Sequence, residues 1–155
     1  MRIGIVSKPW LPVPSRAYGA IEKLVHYLAT QLSSDSFNQV YLFAPGDSLV
    51  SPSIKLRSLF FRGVGGEISD PYAEVAQAMH AGIQAKIYGL DVLHAHSVDP
   101  IMAISPFINI PIVFSFHTFP SKINKLLSEQ TDKNVIYTFL SQSHRKSFPW
   151  IKNAV

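Results

Sequence analysis

Arg2-Ile3-Gly4-Ile5-Val6-Ser7 reads as a strand buried on both faces, being short, apolar and β-branched without polar alternation. A stiff loop follows from Lys8 to Tyr18, where Pro9, Pro12 and Pro14 remove backbone donors and fix φ. After Gly19 the period changes. Ile21, Leu24, Val25, Leu28 and Leu32 recur at helical spacing, with Glu22, Lys23, His26 and Gln31 on the other face. The cluster Ser33-Ser34-Asp35-Ser36 ends that helix. Gln39 to Ala44 is a second strand, closed by the turn Pro45-Gly46-Asp47. Strand, helix, strand is the opening unit of a parallel sheet.

The alternation continues. Ile54 to Leu59 reads as a third strand and Gly63-Val64-Gly65-Gly66 as a flexible loop. Asp70-Pro71 marks a helix start, a capping carboxylate followed by proline at the first helical position. Tyr72, Val75, Ala76, Met79 and Ile83 form one stripe of that helix, with Met79 read as packing. Asp91 to Ala95 is a strand, Asp99-Pro100 starts a short helix, and Ile110 to Phe116 is a very apolar strand. Ser121 to Gln130 is weakly helical, Val135 to Leu140 is a sixth strand, and Ser141-Gln142-Ser143-His144-Arg145 opens a last short helix. The fold expected is one α/β domain over residues 1–155. It has a doubly wound, mainly parallel sheet with helices on both faces, which is a Rossmann-like arrangement.

Composition narrows the class. At 155 residues the chain fits one domain, and 47% hydrophobic against 15% charged residues excludes a disordered tail. Eleven prolines exclude a coiled coil. Without cysteine there is no disulfide framework and no thiolate zinc site. The most apolar stretch, Ile101 to Phe116, is cut by Pro106, Asn109 and Pro111 and falls short of the ~20 residues of a spanning helix. The N-terminus lacks a signal-length apolar run, so a cytoplasmic protein is expected. The net charge of +4 is mild. Lys122, Lys125, Lys133, Arg145, Lys146 and Lys152 outnumber Glu129 and Asp132 near the end, a bias that reads first as a solvated face. It leaves peripheral contact with an anionic membrane open. No nucleic-acid-binding motif is present.

In open parallel sheets ligands bind beyond the carboxyl ends of the strands. The first strand delivers Ser7-Lys8 and, after the loop, Tyr18-Gly19-Ala20 at a helix start, where close backbone approach and free N–H groups suit an anion or a sugar. The fourth delivers His94 and His96, the fifth His117, the sixth Ser141. His117, leaving an apolar strand, suits hydrogen bonding to a sugar hydroxyl, stabilisation of a developing oxyanion, or proton transfer. Ser141 reads more simply as an N-cap, since no G-x-S-x-G surrounds it. No dinucleotide fingerprint follows the first strand, which ranks an oxidoreductase last. His94, His96 and His117 together would suit a metal-dependent hydrolase, but with no neighbouring His-x-His-x-Asp pattern a metal is not expected. His26, His80 and His144 are read as surface residues.

Taken in order, Met1-Arg2-Ile3-Gly4-Ile5-Val6-Ser7 with Pro9-Trp10-Leu11-Pro12, Tyr18-Gly19-Ala20-Ile21-Glu22, Leu42-Phe43-Ala44-Pro45-Gly46-Asp47, Asp91-Val92-Leu93-His94-Ala95-His96, Phe116-His117-Thr118 and Phe139-Leu140-Ser141-Gln142-Ser143 resemble the N-terminal half of a retaining GT-B glycosyltransferase of family 4. The resemblance runs the whole length except Leu49 to Ala81. It implies transfer of a sugar from a nucleotide-sugar donor to an acceptor held mainly by this half, without a metal. Gly19 and Ala20 would form the turn facing phosphates or acceptor, beside Tyr18. His117 would contact the transferred sugar and His96 would line the cleft. Ala20 departs from the family's second glycine at that turn.

The resemblance also implies a second domain with the nucleotide pocket and a Glu-x7-Glu pair. The chain ends at Asn153-Ala154-Val155, where the family would cross into that domain. The expectation is an acceptor-side domain, inactive alone, needing its C-terminal domain or a companion chain. The alternative is a stand-alone Rossmann-like module that docks a partner.

Overall fold

The computed structural model describes residues 1–65, 72–131 and 134–155. The elements are β1 (Arg2–Val6), α1 (Ala20–Ser34), β2 (Gln39–Phe43), β3 (Ile54–Arg57), α2 (Tyr72–Tyr88), β4 (Val92–His96), α3 (Pro100–Ile104), a 3-10 turn (Ser105–Phe107), β5 (Ile112–Phe116), α4 (Lys122–Glu129), β6 (Val135–Phe139) and α5 (Gln142–Lys146). The six strands form one sheet in the order β3-β2-β1-β4-β5-β6, and every neighbouring pair is parallel. The doubly wound α/β architecture expected from the sequence is the one found. From β1 the chain steps outward to β3, returns through α2 to β4, and steps outward the other way. That reversal, between β1 and β4, is where such a sheet opens a crevice.

Strand pleating divides the core in two. Ile3, Ile5, Val40 and Leu42 pack under Val25 and Ala29 of α1. Val6, Tyr41, Phe43, Leu93, Phe114 and Phe116 face the other way, against Ala78, Ala81 and Ala85 of α2 and Ile101 and Met102 of α3. Gly4 in β1 is required by close approach: a Cβ there would meet Leu90 Cδ1 at 2.6 Å and Leu93 Cδ1 at 2.8 Å.

Strand ends differ from the sequence reading for local reasons. β5 begins at Ile112, because Pro111 has no N–H to give the ladder. β4 runs Val92–His96, and just before it Asp91 accepts from the Arg2 N–H at 2.7 Å through its carboxylate. The weak helix after Ser121 is set by a reciprocal cap. Ser121 Oγ accepts from Asn124 N at 3.0 Å and Asn124 Oδ1 accepts from Ser121 N at 3.1 Å. The glycine loop expected to be flexible is tied down as far as it is described, with Val64 N donating to Pro9 O and Gly65 N to Trp10 O. The helix start assigned to Asp70-Pro71 lies outside the described residues.

The helical stripe of α2 is a correction. Tyr72, Val75, Met79 and Ile83 face solvent, and the buried positions are Ala73, Gln77, Ala78, Ala81 and Ala85. The sheet beneath already presents Tyr41, Phe43 and Leu93, so only small side chains let the helix approach. Hydropathy alone favoured the larger residues and picked the wrong side. Ala81→Leu is therefore expected to destabilise the fold by about 1–3 kcal/mol through overpacking. Ile83→Ser should stay within about 0.5 kcal/mol. Urea denaturation of both variants checks this, and the reverse order would refute the helix orientation.

Candidate functional site

The carboxyl edge of the sheet carries Gly19 after β1, His96 at the end of β4, His117 after β5 and Ser141 after β6. Three histidines gather there. His94 and His96, two apart on β4, share a face with ring centroids 4.2 Å apart. His117 lies against His96 with centroids 5.2 Å apart and planes inclined by 21°. His96 Nδ1 and His117 Nε2 are 3.0 Å apart. Behind them a polar ladder crosses the sheet: His94 Nε2 bonds Ser115 Oγ at 2.7 Å, and Ser115 Oγ bonds Thr138 Oγ1 at 2.6 Å.

These imidazoles are held neutral. Burial first, and His117 second, lower His94 to about 4. Burial, then His94 and His117, lower His96 to about 2. His117 is also lowered, by burial and then by His144 and Lys8. A neutral pair fixes its own tautomers. His96 Nε2 is buried without a partner, and an unpaired lone pair costs less there than an unpaired N–H. The proton of His96 therefore sits on Nδ1 and is donated to His117 Nε2. His117 must then carry its proton on Nδ1, an N–H left for solvent or a ligand.

Ser97 positions His117. It is a non-glycine residue at φ 52°, and its Oγ accepts from the His117 backbone N at 3.0 Å. That left-handed turn carries backbone strain, held where β4 leaves the sheet. Lys8 pairs with Glu74 at 3.0 Å, and Glu74 also accepts from Trp10 Nε1 at 2.7 Å. Asp99 does not cap α3; it accepts from Asn124 Nδ2 at 2.6 Å. Burial raises the Asp99 carboxyl above its ordinary value, with Glu74 adding to the rise and Asn124 and Lys8 opposing it. Ser7 Oγ and Gln77 Oε1 are also buried without partners.

Gly19 precedes α1 at φ 129°, a conformation glycine alone adopts readily, and a Cβ would collide with Ser15 and Glu22. Glu22 is buried and its carboxylate lies against this turn. The helix start thus already faces a negative charge, which suits a hydroxyl-bearing ligand better than a phosphate. Ala20 is the first residue of α1 and is exposed. Tyr18, 90% exposed, lines a cavity of about 820 Å³ with Trp10, Leu11, Glu74, Val75 and Asp99. Ser141 is the N-cap of α5, its Oγ accepting from His144 N at 3.1 Å.

The histidines read as surface residues are half-buried instead. His80 packs edge-on to Phe43, and His144 accepts from Leu140 N and bonds Thr118 O at 2.9 Å. Among the described residues no three His, Asp or Glu side chains are grouped to hold a metal ion. Ring nitrogens of the three histidines are turned to one another and to Ser115. The hydrolase reading therefore gains no support.

No protein-family model matches the chain, and no curated protein matches it. A solved structure of MurG from Acinetobacter baumannii matches over 90% of this chain and 41% of that one, with a TM-score of 0.56 and 14% identity. The likeness is one of fold, and the six-stranded parallel α/β architecture is consistent with the N-terminal half of a GT-B fold like that of MurG. No helix among the described residues is long and apolar enough to cross a membrane.

The histidine set makes stability depend on pH. Between pH 6.5 and about 4 the unfolded imidazoles take up protons that folded His94 and His96 refuse. Unfolding then binds protons, so stability falls as pH falls, by at most about 1.4 kcal/mol per pH unit for each histidine. Asp99 acts in the opposite sense at carboxyl pH, because its raised value favours the protonated folded state. Urea midpoints should drop clearly from pH 7 to pH 5, and His94→Gln should flatten the slope. Equal midpoints for the wild-type chain would contradict buried neutral imidazoles. Gly19→Ala is expected to cost about 1–3 kcal/mol in the same assay, by backbone strain.

Proposed function

We propose that this chain is the acceptor-side half of a retaining GT-B glycosyltransferase of family 4, moving a sugar from a nucleotide-sugar to an acceptor hydroxyl. One observation carries the reading: His96 Nδ1 and His117 Nε2 lie 3.0 Å apart at the sheet's carboxyl edge, a pair whose neutral tautomers would leave the His117 Nδ1–H for a ligand. That N–H would hydrogen-bond the transferred sugar as charge develops at the breaking bond. His96 would hold the tautomer, Ser97 the backbone position. The Gly19–Ala20 turn and Tyr18 would form the acceptor wall. His94 would act through Ser115, and Ser141 would shape the α5 start. The donor nucleotide would be held by a second domain or companion chain, and no metal enters the proposal. The fold likeness to MurG supports this reading at the level of architecture.

The chain alone is expected to bind without turnover. Titrating the isotope-labelled chain with free hexose and with a nucleotide-sugar should move the amide signals of Gly19 and Ala20 and the imidazole of His117. Shifts confined to other residues, or sustained sugar transfer by the chain alone, would overturn the assignment. Combined with a donor-binding half, His117→Ala should lower turnover ~10²-fold with folding intact.

A further inference from the structure

Capping a helix does not require an imidazole, yet α5 is capped with one. At the start of α4 the third helical residue, Asn124, closes the box with Ser121 through its side-chain amide. At the start of α5 the same position is His144. Its backbone N–H donates to Ser141 Oγ at 3.1 Å, and its ring Nδ1 accepts from Leu140 N at 3.3 Å. An asparagine does that much. The imidazole has a second nitrogen, and Nε2 lies 2.9 Å from the carbonyl oxygen of Thr118, on the loop that leaves β5. The two partners settle the tautomer. A backbone N–H only donates and a carbonyl only accepts, so Nδ1 is bare and Nε2 carries the proton.

The ring is held in place by three others. Phe119, Phe139 and Phe148 meet it nearly at right angles, with centroids 6.4, 5.8 and 5.2 Å away. Thr118 follows His117 directly. Phe116, which precedes His117, stacks on Phe139 at 5.6 Å and packs on Phe148 at 4.5 Å. Residues on both sides of His117 are thus fixed to β6 and α5, while Ser97 Oγ accepts from the His117 backbone N. After burial, His144 is the next cause that lowers the His117 imidazole, which puts the two rings within electrostatic reach. We propose that His144 is a positioning residue: by donating to the Thr118 carbonyl it fixes the direction in which His117 presents its Nδ1–H, and so couples the start of α5 to the site. The value of that coupling for sugar transfer rests on the reading of His117 given above; the coupling itself does not.

Nitrogen NMR of the imidazoles in the isotope-labelled chain tests the coupling without any sugar. His144→Asn keeps an acceptor for Leu140 N and removes the donor to Thr118. His144→Gln keeps a donor near the Nε2 position. His144→Phe keeps the ring packing and removes both bonds. His144→Asn and His144→Phe should turn the single His117 tautomer into a mixture, with Nε2 leaving its accepting shift, whereas His144→Gln should retain the wild-type pattern. Thermal unfolding of each variant reports separately that it folds. An unchanged His117 in folded His144→Asn or His144→Phe overturns the proposal, as does equal displacement by all three variants. Titration with free hexose separates the two claims. A His117 moved by His144→Asn but not by hexose supports the positioning role and removes the sugar contact.

Discussion

A sheet whose strands all run in one direction sends every carboxyl end to the same edge, and the site depends on that constraint. β1 sits in the middle, pairing with β2 on one side and β4 on the other. The chain therefore leaves the sheet in opposite senses on the two sides of the β1–β4 boundary. Glycine and helix start come from one side, histidines from the other. The close pairing of β4 with β5 then brings His96 within 3.0 Å of His117, though they are 21 residues apart in sequence. Burying these rings keeps them uncharged. Two neutral imidazoles can share one proton bond where two charged ones would repel.

The parts of the fold that were legible in the sequence are those fixed by short-range chemistry. Apolar runs marked all six strands, and the Ser141 cap marked its helix. The glycine before α1 was legible for the same reason, since no other residue suits φ 129°. His94, His96 and His117 could be placed at one edge once strand direction was known. Their pairing could not, because it depends on a register of β4 against β5 that no local pattern encodes. Ser97 carried no signal, as a left-handed φ leaves no mark in a Ser-Val-Asp run. Ser115 was in principle detectable, being the one hydroxyl inside an otherwise apolar buried strand.

The misreading of α2 has a different cause. Periodicity finds a stripe, and α2 has two, one of alanines and one of larger apolar residues. Which stripe meets the sheet is decided by the volume left above Phe43 and Leu93, a tertiary quantity. The larger stripe is then left facing outward, so the close approach of α2 and the exposed apolar ridge are two results of one packing choice. The half-burial of His80 follows as well, its ring turned inward against Phe43.

Nitrogen NMR of the imidazole rings tests the central claim most directly. At neutral pH, His96 should show a proton on Nδ1 and a bare Nε2. His117 should show a proton on Nδ1 and an accepting Nε2, and His96 should stay neutral well below pH 5. A His96 that titrates near its unperturbed 6.5, or a His117 protonated on Nε2, would contradict the paired neutral site.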